Sequence, residues 1–210
     1  MKELPAGWRW VPIEELAEPD RSGVVIGPFG SNLKVSDYRD SGVPLVFVRN
    51  IRSGDFRGER RFVSPMKAAE LAGHQAVQGD VLITKMGDPP GDAAVYRSAE
   101  PAVITADCIR VRPGEAVLPE YLAYSFGASA VRDQVLAITR GVAQKKVSLG
   151  RFRSGVSIPI PQLSEQRRIV EILEDHLSRL DFAEAGMADA QRRLKALHKS
   201  VLLKLIPDDR

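Results

Sequence analysis

Hydrophobic and polar positions follow two different rules along this chain, and the rule changes near residue 160. From Ser164 to about Leu205 no proline interrupts the sequence. Apolar residues recur there at Ile169, Leu173, Leu177, Leu180, Ala183, Met187, Ala190, Leu194, Leu197, Val201 and Leu205. Every step is three or four residues, the spacing of a coiled-coil seam. Such a run predicts one helix of roughly 60 Å at 1.5 Å per residue. Ser164 is placed as its N-cap, and Glu165 sits where a carboxylate favours the positive helix end. Ala183, Gly186 and Ala190 leave the middle of the seam thin, so a partner helix has room to approach closely. A helix of this length overshoots a domain of this size, about 35–40 Å across. The seam therefore calls for another helix, from a second copy or from a partner; the alternative is an amphipathic helix lying along its own domain.

The first 160 residues read differently, as short apolar runs broken by turn residues. Val43-Pro44-Leu45-Val46-Phe47-Val48, Asp80-Val81-Leu82-Ile83-Thr84 and Ala93-Ala94-Val95-Tyr96 predict strands, and Cys108-Ile109-Arg110-Val111-Arg112 alternates apolar and basic residues. Gly27-Pro28, Gly87-Asp88-Pro89-Pro90-Gly91 and Pro113-Gly114 punctuate them. Helices are expected over 65–72 and 119–138, the second with Pro119 near its N1 position. Strands do not alternate regularly with long helices, which argues against a doubly wound parallel sheet. The expected fold class is α+β: a globular domain over residues 1–160, then a long helix over 161–210. Ser157-Ile158-Pro159-Ile160-Pro161 forms a stiff extended lead-in between them, because proline fixes φ and biases the preceding residue away from helix.

Composition adds bounds. The 210 residues include a single cysteine, Cys108, so no internal disulfide is possible. No apolar run approaches the roughly 20 residues that span a bilayer, and the expected location is the cytoplasm. Net charge is only +3, but its distribution is uneven. From Ser164 onward nine basic residues meet nine acidic ones, whereas 134–164 contains no acid and carries Arg140, Lys145, Lys146, Arg151 and Arg153. A second cluster, Arg49, Arg52, Arg57, Arg60 and Arg61, is diluted by Asp55 and Glu59. Such clusters suit a polyanion-binding face, or a solvated loop.

The chain carries partial enzyme motifs but none that is complete. Asp88-Pro89-Pro90 is similar to the motif with which amino-methyltransferases hold a flipped base, but Gly91 stands where the stacking aromatic belongs. Gly27-Pro28-Phe29-Gly30-Ser31 is the nearest approach to a cofactor-binding Gly-rich turn, and no long helix follows it. None of the lysines has an acid two positions before it, which argues against the common Asp/Glu-x-Lys nuclease motif. His74, His176 and His198 with one cysteine give no zinc spacing. Neither a nucleophile elbow nor a Walker loop is present. The expectation is a non-catalytic chain with no cofactor and no metal.

Five segments together resemble the specificity subunits of type I restriction–modification systems. Ile158-Pro159-Ile160-Pro161-Gln162-Leu163-Ser164-Glu165-Gln166-Arg167-Arg168-Ile169-Val170 looks like the "PLPPLxEQRRIV" stretch that opens that family's long helix. Gly141-Val142-Ala143-Gln144-Lys145-Lys146-Val147-Ser148 resembles "G-(S/T)-x-Q-x-x-I-S", and Gly79-Asp80-Val81-Leu82-Ile83-Thr84-Lys85-Met86-Gly87 resembles "GDILxTxxG". Trp8, then Gly27-Pro28-Phe29-Gly30-Ser31, then Gly42-Val43-Pro44-Leu45-Val46 match "GW…GPFGS…GxPxI". The segments occur in family order over nearly the whole chain. Pro89-Pro90 departs from the pattern as an insertion, and Gln162 replaces a common proline.

The resemblance implies a chain that reads double-stranded DNA while methylation and cleavage belong to other subunits. Family members are usually about twice this length, with two reading domains and two antiparallel helices. One domain and one helix therefore imply a half subunit, completed by a C2 homodimer that reads a split palindromic site. Its further partners are methyltransferase subunits, and a restriction subunit where one exists. On this reading Lys34, Lys85, Arg140, Lys145 and Lys146 grip phosphates, and Arg49, Asn50 and Gln144 read base edges. Leu173, Leu177, Leu180, Met187, Leu194, Leu197 and Val201 form the dimer seam. Gly27, Gly30 and Gly87 are read as turn-shaping, and Trp8 and Phe29 as core. The competing reading is an interaction scaffold that does not read DNA, or a fragment recombined from a longer subunit.

Overall fold

Short apolar runs become short strands that need two layers to hide them. The computed structural model describes residues 3–19, 22–58, 60–141 and 145–205, with side chains as far as Val201. In chain order the elements are β1 (Arg9–Pro12), α1 (Ile13–Leu16), β2 (Val24–Ile26), β3 (Val43–Val46), α2 (Val48–Ser53), β4 (Phe62–Val63) and α3 (Pro65–Glu70). They continue with β5 (Gln75–Ala76), β6 (Val81–Thr84), β7 (Ala93–Val95), β8 (Ala102–Ile104), β9 (Cys108–Val111) and α4 (Pro119–Ser125). The last four are α5 (Ser129–Ile138), α6 (Leu149–Gly155), β10 (Ser157–Ile160) and α7 (Leu163–Leu205). The chain divides into a unit ending at Arg167 and a second beginning at Arg168.

In the first unit, one antiparallel sheet runs in the order β2-β9-β6-β7 and a second in the order β4-β3-β8-β5, where β3 and β8 pair parallel. Val46, Ala102 and Ile104 of the second sheet share a core with Leu82 and Cys108 of the first. Leu45 and Val103 pack on the opposite side with Ala68 and Leu71, at α3 and the residue after it. Strands covered on both faces need no polar alternation, which is why β3 and β8 read as continuous apolar runs.

The expected strands are present, with differences that have local causes. The run 43–48 ends as strand at Val46, and α2 begins at Val48. The helix expected over 119–138 is broken into α4 and α5 around Gly127. The lead-in at 157–161 is β10, paired antiparallel with β1 from Arg9↔Ile160 to Pro12↔Ser157. β1 is too short to stand out in the sequence, so this pairing was not legible there.

The alternating 108–112 segment suggests one wet face, yet Arg110 is 2% exposed. Its guanidinium donates to the carbonyl oxygens of Gln75 and Ser22 and lies near Asp80, itself 1% exposed. Asp80 also takes two bonds from Arg112, at 2.9 and 3.1 Å, and one from the Val77 amide at 2.8 Å. Pairing and hydrogen bonding together make that buried charge tolerable.

The long helix is one continuous element of 43 residues, about 64 Å at the standard rise. It starts at Leu163, one residue before the expected N-cap, with the amides of Glu165 and Gln166 bonded to Gln162 O. Its first turn belongs to the globular unit, so the division falls after Arg167 rather than at 160. Gln166, fully buried, accounts for this. Its Oε1 accepts from the Leu118 amide at 2.9 Å, and its Nε2 donates to Ala116 O and Pro161 O at 3.0 and 3.1 Å. In the second unit, Leu173, Leu177, Leu180, Met187, Leu194, Leu197 and Val201 are all exposed, Leu180 at 60%. Charges on that unit pair along its own surface, as Arg179 with Asp175 and Arg193 with Asp189. Among the described residues, no helix is long and apolar enough to cross a membrane.

Candidate nucleic-acid interface

Beyond the end of β6, hydrogen bonds draw distant basic residues into one strip. The Val147 amide donates to Lys85 O at 3.1 Å and the Gly87 amide to Lys145 O at 3.3 Å. Arg140 and Lys146 exchange backbone bonds of 3.0 and 2.9 Å. Lys85, Arg140, Lys145 and Lys146 thus meet although they come from two separate stretches of sequence. Gly87 holds φ at +151°, which a side chain rarely adopts, and a Cβ there would strike the Arg52 guanidinium. Ser148 then caps α6, its Oγ accepting from the Arg151 amide at 3.4 Å.

A groove of about 550 Å³ lies beside this strip. Ile26, Phe29, Val147 and Leu149 contribute its apolar lining, and Lys85, Arg140, Lys146 and Arg151 its cationic rim. Lys85 Nζ donates to Ala106 O at 3.0 Å, and the Arg140 guanidinium to Ala137 O and Thr139 O at 3.0 Å each. Carbonyls orient these cations without neutralising them. Among the described residues, no carboxylate forms an ion pair with any of the four rim side chains. Arg151 falls in the acid-free stretch, and nothing local in the sequence marks it as a groove residue. Its place follows from the α6 cap, which is a contact the sequence does not display.

The second basic cluster behaves differently. Arg52 pairs with Asp92 at 2.9 Å, Arg60 with Glu100 at 3.1 Å and Arg61 with Asp40 at 3.4 Å. The acids that pair with these three arginines lie 21 to 40 residues away, not at the nearby Asp55. Arg52, Asp88, Asp92, Tyr124 and Arg132 line a separate cleft of about 590 Å³, where Asp92 receives both arginines.

Other expected site residues are scattered. Lys34 is exposed but does not line the groove, and Lys145 spends its charge on Asp88 at 2.6 Å. Arg49 is exposed with its guanidinium 4.6 Å above the Phe47 ring. Asn50 is a correction. It is 6% exposed, its Oδ1 accepts from the Phe47 amide at 2.9 Å, and its Nδ2 donates to Asp55 O at 3.1 Å. Its amide closes the start of α2 and is not presented to a base. Gln144 lies outside the described residues.

Phe29 is a second correction: expected in the core, it is 65% exposed. The loop that carries it is anchored on both sides. The Gly27 amide donates to Cys108 O at 3.1 Å, and a Cβ at Gly27 would meet Thr105 O at 2.0 Å, so only glycine fits there. The amides of Asn32 and Leu33 both bond to Phe29 O, at 2.8 and 3.3 Å. Leu33 is buried, and the ring between these anchors faces outward. Gly30 has open space around it, so its turn does not require glycine, and Trp8 is half-buried.

Among the described residues, no group of three or more histidine, cysteine or acidic side chains is arranged to hold a metal. Burial pushes the Cys108 thiol up to about 12, so it is not a nucleophile at neutral pH.

The comparisons agree with this architecture. A family model described as the type I restriction modification DNA specificity domain matches residues 75–186. The chain is 24% identical over 202 residues to the type I restriction enzyme StySPI specificity subunit of Salmonella potsdam, covering 95% of this chain and 42% of that protein. It therefore spans less than half the length of that curated relative. Its fold is shared along the whole chain with 47% of the HsdS subunit from Thermoanaerobacter tengcongensis, at a TM-score of 0.65 and 25% identity. A chain from a structure concerned with complex assembly and conformational transition of the type I R-M system gives 0.72, at 24% identity over 48% of its length. With more than half of its residues matched by the family model, the chain belongs to the type I restriction modification DNA specificity domain family.

Proposed function

We propose that this chain is a non-catalytic half subunit that reads double-stranded DNA for a type I restriction–modification complex. The observation that carries the reading is the groove whose four cations have no carboxylate partner among the described residues, on a domain where Arg52, Arg60 and Arg61 of the other basic cluster pair with acids. Cations without an acid partner suit the phosphate backbone, while groups between them meet base edges. In this reading Lys85, Arg140, Lys146 and Arg151 are the main phosphate contacts, Lys34 and Lys145 lesser ones, and Arg49 and Gln144 base-edge contacts.

The exposed seam of α7 supports a homodimer through an antiparallel helix pair. Two copies related by a twofold axis would read an inverted repeat with a fixed spacer, and the helix pair would offer methyltransferase subunits a docking surface. The test is a genome-wide map of methylated adenines in the source cell, with and without the gene. Loss of one split, palindromic motif is the expected outcome. A vanished asymmetric motif would replace the homodimer by pairing with a different half, and an unchanged map would leave a scaffold that does not direct methylation.

A further inference from the structure

The groove is more than a phosphate grip, because apolar side chains line it together with the cations. Ile26, Val147 and Leu149 line it, and so does Phe29, whose ring is exposed. Leaving a phenyl ring 65% exposed between two backbone anchors costs hydrophobic free energy. The loop backbone is held on both sides, by the close approach of Gly27 to the Thr105 carbonyl and by the buried Leu33. This is an exposed apolar group on an anchored backbone, with cations lining the same groove.

Charge complementarity selects an anionic surface, and the apolar lining selects what lies between the anions. In the major groove of duplex DNA the apolar group on the base edges is the thymine C5-methyl. We propose that Phe29, with the groove beside it, is a specificity-determining element that reads a thymine methyl in each half-site. This inference rests on the DNA-reading role proposed above and adds the chemical group that is read. Phosphates on either side of the thymine would lie against the rim formed by Lys85, Arg140, Lys146 and Arg151. A methyl set against the phenyl ring leaves water, whereas a cytosine at that position would lack the methyl and put an amino donor in place of the thymine O4 acceptor, beside the cations.

The experiment selects preferred sites from a randomised duplex pool with the full-length protein and with Phe29→Ala and Phe29→Leu. Each thymine of the selected half-site is then replaced in turn by deoxyuridine, which removes only the methyl. Expected for the wild type is a loss of about fourfold at one thymine per half-site, the value of one buried methyl. Phe29→Ala should bind that site about tenfold more weakly, within the range of one lost base contact. It should be indifferent to deoxyuridine there, with an unchanged salt slope, while Phe29→Leu keeps part of the preference. Wild-type indifference to deoxyuridine at every thymine overturns the inference, as does an alanine variant that stays sensitive. Increased fluorescence from 2-aminopurine beside the site would make Phe29 a wedge between base pairs and also overturns it. If the wild type binds duplex with no sequence preference at all, the DNA-reading proposal itself fails, and this inference fails with it.

Discussion

The globular unit and the long helix are incomplete in opposite ways. The first hides its apolar residues between two sheets and leaves a set of cations without acid partners at one groove. The second shows its apolar residues to solvent, with Leu173, Leu180, Met187, Leu194 and Val201 exposed at every seventh position, while its charges pair along its own surface. Unneutralised charge on a well-packed domain suits a polyanion. An apolar stripe on a charge-balanced helix suits another helix. One chain thus offers two surfaces that different chemistries would complete, and each can be removed without touching the other.

The largest effect should come from the charge that the globular unit buries rather than shows. Asp80→Ala leaves Arg110 without its neighbouring carboxylate in a site only 2% exposed. The cost should be about 3–5 kcal/mol, as for other broken buried pairs. Urea denaturation monitored by circular dichroism checks it, and a loss under 1 kcal/mol would mean that water or another group takes over the pairing. Next is the helix. Leu180→Asp combined with Leu194→Asp should weaken self-association at least a hundredfold, about 2.7 kcal/mol, and yield folded monomers that no longer bind a split site. Sedimentation equilibrium reads the mass; an unchanged dimer would remove the seam assignment.

The smallest of the three effects concerns the exposed rim. Lys146→Ala with Arg151→Ala should lower duplex affinity about tenfold at moderate salt, or 1.4 kcal/mol, and reduce the salt slope by about two. Lys146 and Arg151 are exposed and outside the core, so stability should hold. Fluorescence anisotropy over a salt series measures both quantities. A loss of affinity without a change of slope would assign these residues to base edges, and the contrast between the two units would then need redrawing.

Much of this was legible in the residues themselves. The period of three and four in α7, the short β-rich runs and the acid-free stretch at 134–164 are local patterns. A helix face or a strand needs only its own spacing to be recognised. What stayed hidden depends on contacts far apart in sequence. Arg52, Arg60 and Arg61 look like a polyanion patch until Asp92, Glu100 and Asp40 are folded against them. Arg110 reads as a surface residue of an alternating strand until the second sheet covers it. Phe29 reads as core until Gly27 and Leu33 anchor its loop from both sides. Asn50 reads as a base reader, although its amide serves the α2 backbone.

By itself, then, the sequence determined the elements, the change of regime near residue 160 and, through its motifs, the family. Only tertiary structure decided which charges remain available, because neutralisation depends on which acid reaches which base in space. It also decided which aromatic faces outward, because a loop's orientation is set by where both of its ends are held.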